Sequence, residues 1–175
     1  MLDEQGDVVG HVGSVEDVTD RLQTRRALEK ERRRLAAIIE GTDAGTWEWN
    51  VQTGAVQLNE RSAAMLGYTL AELGVQTIQL RADYTHPEDH AKSIAAAKRH
   101  FAGELPLYES EARMRHRDGH WVWILARGRV LSRTADGKPE WMFGTHLDIT
   151  ARKAQEDRLR KSEELLNRTG ALAQV

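Results

Sequence analysis

Residues 108–131 read YESEARMRHRDGHWVWILARGRVL. Tyr108, Ser110, Ala112, Met114 and His116 alternate with Glu109, Glu111, Arg113, Arg115 and Arg117. A period of two marks a strand with one buried face. Asp118-Gly119 is a hairpin turn signal, and Trp121 to Leu131 is the returning strand. Loop length sets the register, and a slip of one residue exchanges the faces. A two-residue loop would pair His116 with Trp121 and put Met114 on a face with Trp121 and Trp123. A three-residue loop with Gly119 left-handed pairs His116 with His120. Ala112 and Met114 then share a face with Val122, Ile124 and Ala126, while Trp121, Trp123 and Arg127 join the charged face. The second register is preferred, because it gathers small and aliphatic side chains inside and leaves an aromatic, charged face on which a helix can dock.

Downstream, Ala135 to Pro139 makes a turn and Trp141 to Leu147 a last strand, which runs into Asp148-Ile149-Thr150 and a charged helical pattern. The same junction stands near the start: Gly13, Asp17, Thr19, Arg21, Leu28 and Leu35 recur as Gly144, Asp148, Thr150, Arg152, Leu159 and Leu166. A fixed offset held by so many positions is an internal repeat. It divides the chain into the tail of a preceding copy (1–19), a linker helix (20–41), one complete domain (42–150) and an exit helix with the start of the next segment (151–175). Thr150 is read as the exit-helix cap, and Asp148 as an acceptor for backbone or a basic side chain. In the linker helix Leu28, Leu35 and Ile38 form a heptad seam suited to a two-stranded coiled coil, continued by Leu159 and Leu166 in the exit helix. The basic cluster Arg25, Arg26, Lys30, Arg32, Arg33 and Arg34 is read as a solvated helix face, partly neutralised by Glu29, Glu31 and Glu40.

Upstream, Gly45 to Asn50 reads as a strand with Trp47 and Trp49 on one face. Thr53-Gly54 turns into a second strand, Ala55 to Leu58. Asn59 and Thr69 cap two short helices. His86-Pro87-Glu88-Asp89 starts a longer helix, Pro87 at its first position, with Ala91, Ile94, Ala95 and Phe101 as the inner side. Two strands, short helices and three more strands give an α+β domain with a five-stranded antiparallel sheet and helices on one face.

Composition narrows function. The chain has 175 residues, 40% apolar and 30% charged, with a net charge of −2. That balance gives no electrostatic case for nucleic acid. Cysteine is absent, which removes disulfides and thiolate chemistry and fits a reducing, cytoplasmic setting. No apolar run reaches the roughly 18 residues of a membrane span, and the acidic N-terminus is unlike a signal peptide.

These features together resemble a PAS domain with a C-terminal PAC segment: Thr46-Trp47-Glu48-Trp49-Asn50, Tyr68 after Gly67, His86-Pro87-Glu88-Asp89, Glu109 to His116, Asp118-Gly119 with Trp123, and Gly144 to Thr150. The resemblance covers residues 42–150. It implies strand order 2-1-5-4-3, a concave face enclosing a core or pocket, flanking signalling helices and dimers. It also implies neighbouring PAS and effector domains in a bacterial signalling protein, a histidine kinase or a diguanylate cyclase/phosphodiesterase. Residues 1–19 resemble the end of a preceding PAS unit.

No P-loop, dinucleotide turn or His-Glu-x-x-His helix appears, so no residue is assigned as catalytic. His86 and His90 are four apart, but Pro87 puts His86 at a helix cap and not on a shared ligand face, so no metal is assigned. Trp47, Trp49, Met114, His116, Ile124 and His146 are the candidate pocket residues. The two tryptophans fit core packing better than stacking on a planar ligand, which makes any pocket small. His146 is placed inside, in phase with Met142 and Gly144, either bonded to a neighbour or facing a ligand. The resemblance leaves a haem ligand conceivable at His90 or His100, with surface histidines as the preferred reading. It also leaves a haem or flavin sensor, or a purely structural dimerisation spacer, as alternatives to a relay without cofactor.

Overall fold

The structure, a computed structural model, describes residues 19–172; the expected remnant of a preceding copy, residues 1–19, lies outside it apart from Thr19. Helix α1 (Thr19–Gly41) is a unit by itself. Its Leu28, Leu35 and Ile38 are each just over half exposed.

The domain that follows is built on one antiparallel sheet. Its strands are β1 (Gly45–Asn50), β2 (Ala55–Leu58), β3 (Gln76–Thr77), β4 (Tyr108–Arg115), β5 (Trp121–Arg133) and β6 (Pro139–Asp148). They lie in the order β3-β2-β1-β6-β5-β4. The described sheet therefore has six strands and not the expected five. The added one, β3, is two residues pairing Gln76 with Val56 and Thr77 with Ala55. It is too short to show a period of two, which is why the sequence hid it. The short helices α2 (Glu60–Ala64), α3 (Leu70–Leu73) and α4 (Ile78–Tyr84) and the longer α5 (Pro87–Phe101) fill the β2–β4 interval, and α6 (Thr150–Leu172) leaves the sheet. Asn59 caps α2 by accepting from Ser62 N–H, and Thr69 and Glu72 form a capping box on α3.

The β4–β5 hairpin has the three-residue loop. Met114 pairs with Val122, Ala112 with Ile124 and Arg113 with Trp123, and His116 N–H donates to His120 O at 2.9 Å. Gly119 has φ +91°, the left-handed backbone that a Cβ disfavours. Ala112, Met114, Val122, Ile124 and Ala126 are all buried, as the face argument requires.

Between β1 and β5 the sheet accommodates one large ring. Trp47 pairs with Gly144, which in turn pairs with Gly128. A Cβ on Gly128 would lie 2.5 Å from the Trp47 ring, and one on Gly144 would strike the same ring and Arg127 O. The two glycines thus form a trough for Trp47, whose Nε1 donates to Thr145 O at 3.1 Å. Tyr108 meets the ring edge-on at 6.2 Å.

Helix α5 departs in part from the expected orientation: Ile94 and Phe101 are half-buried towards the core as expected, but the rest of the inner side is rotated. Asp89, Ser93, Ala97 and His100 are its buried residues, while Ala91 and Ala95 are exposed. Polar partners on the sheet decide this. Ser93 and Ser110 hydroxyls lie 2.6 Å apart. Asp89 accepts from Arg113 N–H at 2.9 Å and from its guanidinium at 2.7 and 3.0 Å. A helix whose apolar residues are mostly alanine gains little from burying them, so satisfied polar pairs set its rotation.

Candidate functional site

Three small adjoining cavities lie between the inner face of the sheet and helices α2, α4 and α5. Two measure about 30 Å³ and the third about 10 Å³. One water requires about 10–15 Å³ on this scale, so the space suits a few atoms and not a haem or a flavin. Met65, Met114 and Ile124 wall one of the larger cavities, together with His146 and Arg81. Trp47, Trp49, Ile78, Thr85 and Tyr108 wall the other, again with Arg81. The smallest chamber is bounded by Trp47, Trp49, Val56, Ile78, Arg81 and His146.

Five of the six candidate pocket residues border this space: Trp47, Trp49, Met114, Ile124 and His146. His116 borders none of these three cavities. Its ring stacks on His120 at 4.3 Å and its Nδ1 accepts from Asp118 N–H at 3.2 Å, closing the hairpin turn at the far end of β4. The last polar position before a turn shares the inner phase but lies past the end of the core, which alternation cannot reveal.

His146 faces inward and is 6% exposed. The β6–β1 register puts it opposite Gly45 at the end of β1, where its Nδ1 lies 3.3 Å from Ser62 Oγ. Ser62 Oγ itself donates to Thr46 O at 3.1 Å. The hydroxyl hydrogen is thereby used, so Ser62 oxygen accepts from His146 Nδ1–H and Nε2 is left with a lone pair. Burial, and behind it the positive charge of Arg81, holds the imidazole well below its usual titration range. His146 is neutral at physiological pH.

Arg81 is the cavity-lining residue that sequence reasoning missed. It borders all three cavities, and its Nε is buried without a partner. Val75 to Thr85 carries no cap or turn signal strong enough to place a helix there; Ile78 and Arg81 three residues apart were the available hint. Trp49 Nε1 and His146 Nε2 are likewise buried and unpartnered.

The two candidate haem histidines differ. His90 borders the first cavity and is half-buried. His100 is buried and not on the surface as expected; its Nδ1 donates to Leu105 O at 2.8 Å and its Nε2 accepts from Val130 N–H at 3.0 Å. With both nitrogens engaged, His100 has no lone pair to give an iron.

At the exit, Ile149 N–H donates to Trp123 O at 2.8 Å, and Trp123 N–H donates to Thr150 Oγ1 at 3.0 Å. Asp148 Oδ1 accepts from Thr150 N–H at 2.8 Å. The Thr150 hydroxyl does not cap its own helix, as the sequence suggested. It extends the β5–β6 ladder by one rung, because Thr150 is already the first helical residue and faces the sheet edge. Around this rung, Trp123 lies under the Arg113 guanidinium at 5.4 Å and the Lys153 ammonium at 5.1 Å. Lys153 and Arg152 both bond Glu111 of β4. These bonds, Lys153 first, depress the Glu111 carboxyl below its usual range.

Comparison with known proteins places this architecture. The PAS fold family profile matches residues 55–146. A sensory box histidine kinase/response regulator from Burkholderia thailandensis is 37% identical, with a TM-score of 0.68 over 77% of this chain and 98% of that structure. The N-terminal domain of a diguanylate cyclase with PAS/PAC sensor from Marinobacter aquaeolei is 29% identical, with a TM-score of 0.54 over 63% of this chain and 98% of that one. Among curated proteins, the two-component sensor PprA of Pseudomonas aeruginosa is 25% identical over 91% of this chain and 17% of its own length. Hybrid signal transduction histidine kinase A of Dictyostelium discoideum is 33% identical over 47% of this chain and 4% of its own. The chain thus spans less than a fifth of the curated relatives it matches. A signalling-sensor fold, an inward cavity and a profile match over more than half of its residues lead to one conclusion: the chain belongs to the PAS fold family.

Proposed function

We propose that this chain is a non-catalytic PAS sensory or relay module that passes a change in its core to flanking helices and, through them, to an effector domain. One observation carries this reading. The exit helix is hydrogen-bonded to β5 on both sides of one residue, Trp123, next to Val122 and Ile124, whose side chains are in the core. Movement of β5 against a filled or emptied cavity would reach α6 through two bonds and the Arg113–Trp123–Lys153 stack. The signal-coupling pair is Asp148 and Thr150.

The module dimerises through its linker helices. Leu28, Leu35 and Ile38 in α1, and Leu159 and Leu166 in α6, are exposed on otherwise charged helices, as a heptad seam without its partner would be. The domain boundaries proposed are 42–150 for the PAS domain, 20–41 for the entry helix and 151–175 for the exit helix. The effector is a histidine kinase or a cyclic-dinucleotide enzyme, by analogy with the relatives named above, and the setting is cytoplasmic. No described helix is long and apolar enough to cross a membrane.

Light scattering on the 175-residue chain tests the dimer. A dimer that becomes a monomer on Leu35→Glu with Leu159→Glu is the expected result; an unchanged dimer refutes the seam. Spin labels at exposed α6 positions test the relay, which predicts that Thr150→Val changes the inter-protomer distance distribution.

A further inference from the structure

The chamber bounded by Trp49, Arg81 and His146 holds three buried polar atoms with no protein partner: Trp49 Nε1, Arg81 Nε and His146 Nε2. Buried polar atoms in native proteins are nearly all paired, and three orphans on one chamber call for a polar occupant that supplies an acceptor to two of them and a donor to the third. Two are donors. Arg81 is half-buried and lines the chamber with its Nε buried, and among the described residues no carboxylate forms an ion pair with it. A guanidinium and an indole N–H suit a planar carboxylate. The third atom is an acceptor, because Ser62 takes the proton on His146 Nδ1. The walls between are aliphatic: Val56, Leu58 and Ile78.

We propose that this chamber and the two cavities adjoining it together bind one short hydroxycarboxylate, whose carboxylate accepts from Arg81 and Trp49 and whose hydroxyl donates to His146 Nε2. The three cavities together suit roughly five to seven non-hydrogen atoms, the size of glycolate, lactate or 3-hydroxybutyrate. A plain carboxylate would leave His146 Nε2 unpaired, and a second carboxylate would set a charge against apolar walls. This assignment rests on the sensor reading and names the ligand class of that same cavity.

The test uses the 175-residue chain with sodium glycolate, lactate and 3-hydroxybutyrate, against propionate, butyrate and chloride at equal ionic strength. At about a hundredfold excess over Kd, a true ligand raises Tm by roughly 5–10 °C. The expected result is a saturable rise with at least one hydroxycarboxylate, at least tenfold weaker binding of its deoxy counterpart by calorimetry, and no rise in Arg81→Met. Arg81→Lys keeps the buried charge but loses the fork, and serves if the methionine variant fails to fold; it should bind at least tenfold more weakly. Equal binding of hydroxy and deoxy acids, an undiminished response in a folded Arg81 variant, or no saturable rise with any of the three overturns the proposal. Binding that leaves α6 spin-label distances unmoved supports the site and refutes only the relay. Absence of binding while Thr150→Val still moves α6 refutes the ligand and leaves the relay standing.

Discussion

Replacing Asp89 by alanine removes the central bond between α5 and β4. The Asp89 side chain is 4% exposed and meets an Arg113 guanidinium that is 26% exposed. It accepts two guanidinium bonds and the Arg113 backbone N–H. Removing one partner of a buried ion pair costs about 3–5 kcal/mol. Arg113 keeps a bond to Glu88 at 3.0 Å and lies near the surface, so the lower end applies: about 3 kcal/mol, or a fall in Tm of roughly 6–12 °C for a chain of this size. The Arg113 bond is also the first cause holding the Asp89 carboxyl below its usual range. A depressed folded pKa contributes stability above the unfolded value, near 3.9, and that contribution is lost as pH falls through the folded value. The difference between wild type and Asp89→Ala should therefore be constant from neutral pH to about 5 and shrink below about 4. Urea denaturation across that range measures it, and a double-mutant cycle with Arg113→Met isolates the pair, with an expected coupling of about 1.5–3 kcal/mol. A cost under about 1 kcal/mol, or a difference unchanged down to pH 3, would refute the assignment.

Thr150→Val keeps the side-chain shape but leaves Trp123 N–H unpaired; the expected cost is about 1–2 kcal/mol, with faster amide exchange at Trp123 while Val122 and Ile124 stay protected. Gly144→Ala drives a methyl into the Trp47 ring and should destabilise by about 1–3 kcal/mol, visible as altered tryptophan fluorescence and a lower Tm; a neutral result would mean that the trough is loose. Glu111→Gln weakens the anchor of Lys153 and Arg152 on β4. Because the Glu111 carboxyl is depressed in the fold, the protection factors of α6 amides in the wild type should fall as pH drops below the usual glutamate range, and those in the variant should change less with pH.

Alternation over Tyr108 to Arg117, followed by Asp118-Gly119, was enough to assign the β4–β5 hairpin, since only one loop length gathers the small side chains on one face. The repeated junction at Thr19 and Thr150 likewise located both long helices, which begin at those two residues. Sequence periodicity is a local property, and these elements are specified locally. Where local signals were weak, tertiary partners decided. The rotation of α5 follows Arg113 and Ser110, which lie on another element. The role of the Thr150 hydroxyl follows the end of the β5 ladder, and the exclusion of His116 from the cavity follows the length of the core. Above all, the convergence of Arg81, Trp49 and His146 joins residues from α4, β1 and β6, far apart in sequence. Charge, aromaticity and an inward phase were each readable along the chain. That they meet on one chamber was settled by strand order, because spacing in sequence carries no distance between strands until the sheet has been assembled.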